Sequence, residues 1–146
     1  MGRVVKFPSD GGEEERKGGK KSTGLRRLSQ EEFLELVEPF KEGLRKFYPT
    51  QVKDVLGIAG FGERNGEESF LMGVMLWQHQ KQPEPILSTF LALFIGDRLE
   101  KVSFLEAKNN YWDWRLMIDT YQSRFNTRAM FEELQKLREE LFNADF

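Results

Sequence analysis

The sequence predicts an α+β fold, on three observations. A capping box opens an amphipathic stripe near residue 29, two pairs of short apolar runs are split by turn residues, and the last third repeats apolar side chains at helical spacing. The predicted order is helix, hairpin, hairpin, helix: an N-terminal helix, a four-stranded antiparallel sheet of two hairpins, and a long interrupted C-terminal helix over one sheet face. The alternative is an all-α helical bundle, because Leu, Met and Ala are frequent in the apolar runs and short runs are not decided by periodicity. With 146 residues, 39% of them hydrophobic, the chain is long enough to form one domain without a metal or disulfide staple.

Ahead of the first helix the composition differs. Residues 1–28 carry eight basic and four acidic side chains and 6 of the 13 glycines, whereas 18 of the 19 aromatics follow them. Between Ser9 and Arg27 the one aliphatic side chain is Leu25, too little apolar surface to offset the entropy of ordering the backbone. Residues 1–28 therefore read as a flexible basic Gly-rich arm, and residues 29–146 as a single globular domain.

Ser29-Gln30-Glu31-Glu32 is a capping box, flanked by Leu28 and Phe33 as a hydrophobic staple. Phe33, Val37, Phe40, Leu44 and Phe47 follow 4-3-4-3 spacing and form one stripe. Pro39 should kink this helix near Glu35, where its ring meets the carbonyl four residues back, and Tyr48-Pro49 should end it. The runs Val55–Phe61 and Phe70–Trp77 are then separated by a segment containing Asn65-Gly66, a pair in which both residues tolerate positive φ. Ile86–Ile95 and Leu99–Leu105 flank Gly96-Asp97-Arg98 in the same way. Interior glycines at 57, 60 and 73 would each cost a helix about 1 kcal/mol, which favours strands. Ile86–Ile95 is apolar on both alternating faces, so that strand is either covered on both sides or meets a second copy, an expectation of a homodimer.

In the last third, Trp114, Ile118, Tyr121 and Phe125 recur at 4-3-4, and so do Met130, Leu134, Leu137 and Leu141. The five-residue step between the two stripes predicts a kink or two helices at Asn126-Thr127, with Asn or Thr as cap.

Catalytic groups are sparse. Without cysteine, thiol chemistry, zinc ribbons and disulfides are excluded, and the one histidine, His79, has no second His for a metal pair. Gly57-x-x-Gly60-x-Gly62 is not in the order of a dinucleotide fingerprint and reads as a bulged or tightly packed strand. Asp97, Asp113 and Asp119 share no metal-binding spacing. No catalytic residue, metal or cofactor is expected. The N-terminus lacks the apolar core of a signal peptide, Lys6 stands where a myristoylation signal wants Ser or Thr, and the longest apolar stretch is half a membrane span. A soluble cytoplasmic protein that avoids membranes is expected.

The densest recognition chemistry is Asn109–Arg115. Trp112 and Trp114 are two residues apart on a helix, so both cannot face one core, and Tyr111, Trp112 and Arg115 form a candidate protein-contact patch. The bland alternative is an aromatic helix start wedged between sheet and helices. A second function class comes from Arg16, Lys17, Lys20, Lys21, Arg26 and Arg27, which could neutralise phosphates of a nucleic acid without sequence preference. Glu13, Glu14 and Glu15 dilute that cluster and the acidic domain opposes a polyanion, so a non-enzymatic protein-binding or adaptor role leads and nucleic-acid binding is the alternative.

Overall fold

Two glycine turns set the register of a five-stranded antiparallel meander, β1-β2-β3-β4-β5. The computed structural model describes residues 25–105 and 111–143, without the side chains of residues 111–113. Strands β2 (Val52–Asn65) and β3 (Glu68–His79) are joined by Gly66-Glu67; β4 (Ile86–Ile95) and β5 (Arg98–Phe104) are joined by Gly96-Asp97. Gly66 (φ +66°) and Gly96 (φ +62°) lie in the left-handed region, and no other described residue except glycine has positive φ. Glycine at the first central position alone is the signature of a II′ turn, so Asn65 ends β2 rather than sharing the turn with Gly66 as the sequence reading expected.

The sheet gains one strand over the expected four. Leu25–Arg27 forms β1 and pairs antiparallel with Glu63–Asn65. These three residues, assigned to the arm from composition, belong to the ordered domain, as does buried Leu28, whose backbone N–H bonds the Gly62 carbonyl at 2.8 Å. A run of three residues is too short to show alternation; its strand character comes from the β2 edge that receives it. The rest of the predicted arm lies outside the described residues.

The capping box is present: the Glu32 N–H donates to Ser29 Oγ at 3.1 Å and the Ser29 N–H to Glu32 Oε1 at 2.9 Å. It starts α1 (Gln30–Glu35), which breaks at Leu36 into α2 (Val37–Phe47), as the Pro39 ring requires. Gly43 lets α2 press against β5, since a Cβ there would fall 2.6 Å from Leu99 Cδ2. The C-terminal stripes are two helices, α3 (Tyr111–Tyr121) and α4 (Thr127–Phe142).

Both faces of the sheet are covered. Phe33, Leu36, Phe40 and Leu44 pack on one face against Leu71, Met75, Phe90 and Phe94, with the Phe40 and Phe90 rings 4.7 Å apart. On the other face Met117, Ile118, Phe125, Met130, Leu134 and Leu137 pack against Phe70, Met72, Leu91 and Leu93. The C-terminal helices thus cover one face, as expected, and the N-terminal pair covers the second. The apolar faces of β4 are satisfied within one chain, so the sheet no longer motivates a dimer.

Gly57 stands at a bulge, and Gly60 faces Gly73 across the ladder, where a Cβ on either would overlap a carbonyl oxygen of the opposite strand. The glycine run is the packed strand that the sequence indicated.

Candidate protein-contact site

The end of the β2–β3 hairpin holds the connection between α3 and α4. Glu63 Oε1 accepts from the Asn126 backbone N–H at 2.8 Å, Asn65 Nδ2 donates to the Arg124 carbonyl at 2.9 Å, and Arg124 Nε donates to Glu68 Oε1 at 2.6 Å. Asn126 is the N-cap residue of α4, yet neither it nor Thr127 makes a side-chain cap. Thr127 Oγ1 instead donates to the Ile118 carbonyl at 2.8 Å. Glu63, remote in sequence, does what a Glu at the third helical position does in a capping box. It is 6% exposed, and burial pushes its carboxyl above the usual carboxylate range against the opposing Asn126 bonds and the Arg27 charge, with Glu133 adding to the rise.

This anchoring places α3 and α4 side by side with a groove between them. Trp114, Ile118 and Phe131 supply its apolar surface, with the Trp114 and Phe131 rings stacked at 5.1 Å and 13°. Arg115, Asp119, Arg128 and Glu132 make its charged rim around an open volume of about 280 Å³. Arg128 Nη2 reaches Asp119 Oδ1 at 3.4 Å, and Arg115 lies 6.0 Å over the Trp114 ring. Leu116, next to this rim in sequence, is 62% exposed, the most exposed of the large apolar side chains described. A volume at the lower edge of small-molecule pockets suits one or two anchoring side chains of a protein ligand better than a whole cofactor.

Of the predicted patch, Arg115 reaches this rim. Tyr111 and Trp112 lie on the first turn of α3, and their side chains fall outside the described residues. Trp114, expected in the core stripe, is half-buried: it packs against the core of that face and also lines the groove. Phe131 and Arg128 escaped the sequence reading because they sit beside the α4 stripe rather than on it, whereas Glu132 belongs to the acidic, solvated side expected of that helix. The only available signal was a bulky aromatic adjacent to Met130.

The candidate nucleic-acid residues divide. Arg16, Lys17, Lys20 and Lys21 lie outside the described residues. Arg26 and Arg27 are on β1 rather than on an arm: Arg26 Nη1 donates to Glu32 Oε1 at 2.8 Å, and Arg27 Nη2 to Glu133 Oε2 at 2.6 Å. The Arg26 hydrogen bonds, aided by the Ser29 N–H and the Arg64 charge, hold the Glu32 carboxyl at about 2 despite partial burial. His79, at the end of β3, accepts from the Lys81 N–H at 3.0 Å. A second cavity, about 400 Å³, lies at the two II′ turns among Glu35, Arg64, Glu67 and Asp97. Among the described residues no group of three His, Cys, Asp or Glu side chains could hold a metal ion, and no helix is long and apolar enough to cross a membrane.

Fold and groove together define an α+β domain in which an antiparallel meander is enclosed between two helix pairs. The chain is 47% identical over 139 residues to an uncharacterized protein of Aquifex aeolicus (strain VF5), covering 95% of each, and it belongs to the same family. No family model matches the chain. No solved structure matches it.

Proposed function

We propose that this is a small non-enzymatic, cytoplasmic protein-binding or adaptor domain whose contact surface is the α3–α4 groove. The observation that carries the reading is the pairing of an aromatic groove with a rim of both charge signs and the exposed Leu116, on the same helix as Tyr111 and Trp112. Such a surface joins large apolar contact area to charges that orient a partner. Helices already occupy both sheet faces, which leaves the groove as the stronger candidate. The nucleic-acid alternative rests on Arg16, Lys17, Lys20 and Lys21, because Arg26 and Arg27 are engaged by carboxylates.

The test is affinity capture with the full chain and with Arg115→Glu and Arg128→Glu, two groove-lining residues, each checked for an unchanged thermal transition. A partner bound by the parent should lose affinity with each variant, mainly through slower and more salt-dependent association, as reversed rim charges do. Undiminished capture by both folded variants would remove the groove from consideration. A salt-sensitive partner that proves to be RNA or DNA would favour the alternative.

A further inference from the structure

We infer that the α3–α4 groove has a ligand within its own chain: the segment Arg3-Val4-Val5-Lys6-Phe7 docks there and competes with the external partner. The inference rests on the groove being the contact surface. Three observations support it. First, this segment holds the arm's only cluster of apolar side chains and its one aromatic residue, and extended chain directs Val5 and Phe7 to one side with Lys6 on the other. One or two such side chains are what the volume of about 280 Å³ admits. Second, the charges are complementary. Glu132 is exposed on the rim with no ion pair among the described residues, and Asp119 shares the rim with Arg128, so carboxylates are available to Arg3 and Lys6. Third, the chain leaves the sheet close by. Leu25, the first described residue, packs on the face covered by α3 and α4 and pairs with Asn65, whose side chain bonds Arg124 between those helices. Asp119 and Arg128, which both line the groove, flank that same connection in the chain. The residues from Pro8 to Gly24 can span up to about 58 Å when extended, well beyond the ~30 Å diameter of a small domain. Attachment also makes docking intramolecular, at an effective concentration on the order of millimolar, so even a weak contact is populated.

The absence of cysteine allows a direct test in the full chain. Gly2→Cys carries a nitroxide, and amide signals of the isotope-labelled protein report its position. Signals of Ile118, Asp119, Phe131 and Glu132 should lose at least two-fold more intensity than those of α2, and Phe7→Asp in the same labelled chain should abolish the difference. Broadening spread evenly over the domain, or unchanged by Phe7→Asp, would overturn the inference. So would broadening that arises only when spin-labelled chain is mixed with separate isotope-labelled chain, since a second copy would then fill the groove. Should Arg115→Glu abolish partner capture while the nitroxide shows no preference, the groove is a partner site and the internal ligand alone is disproved. Should the nitroxide localise while capture is insensitive to Arg115→Glu and Arg128→Glu, the segment docks in the groove, the partner site lies elsewhere and the competition is overturned.

Discussion

Glu63 and Glu32 show how one residue type acquires opposite energetics from its surroundings. Burial raises the Glu63 carboxyl above 4.5, so its contribution to stability is fully present below that pH and is lost as pH rises through the folded-state value. Glu63→Gln keeps an oxygen to accept from Asn126 and removes this loss. Its melting temperature should match the parent's at pH 4 and equal or exceed it at pH 7, whereas Glu63→Leu, which strands the Asn126 N–H, should be less stable at both. Glu32 behaves conversely: its stabilisation is present above 4.5 and lost as pH falls through about 2. Because Glu32 and Arg26 are solvent-screened, Glu32→Gln should cost only about 1 kcal/mol at pH 7 in urea unfolding, and the difference should shrink progressively below pH 4. The Glu32 role is local and legible as a capping box. That of Glu63 was not, because its partner lies 63 residues away.

Elements close enough to touch explain departures from intrinsic propensity. Gly43 sits inside α2, where Ala would be favoured by about 1 kcal/mol on helix propensity alone. Leu99 reverses that preference, since a Cβ at residue 43 would stand 2.6 and 2.7 Å from two carbons of its side chain. Gly43→Ala should therefore destabilise by about 1–2 kcal/mol, and the double variant with Leu99→Ala should be less destabilised than the summed single changes. At the turns, Gly66→Ala and Gly96→Ala should each cost about 1 kcal/mol, because alanine disfavours positive φ even where nothing obstructs its methyl. These effects are readable in equilibrium unfolding midpoints. The helix boundaries were accessible from the sequence because the capping box, Pro39 and the register break before Met130 act over a few residues.

The described residues form a three-layer sandwich, and β3 is its centre. Phe70, Met72 and Val74 face one helix pair while Leu71 and Met75 face the other. A strand buried on both sides shows no polar alternation, which is why the segment 52–108 read ambiguously as sheet or helix. Native-state hydrogen exchange should show β3 amides opening only with global unfolding, and the N-terminal turn of α3 exchanging much faster. Equal protection of the two would contradict a core organised around β3.

Over short distances the sequence by itself determined the capping box, the turn sites and the helix break before Thr127, and it favoured the α+β class over an all-α bundle. Each follows from backbone preferences of residues adjacent along the chain, such as the glycine of a tight turn or the hydroxyl of a cap. Only the tertiary structure decided that both sheet faces are covered, that Leu25–Arg27 joins β2, and that Trp114, Phe131 and the rim charges meet in one groove. Those outcomes depend on which surfaces come together across long loops, and on which buried polar groups then find partners, as Glu63 finds Asn126. Local periodicity carries no record of them.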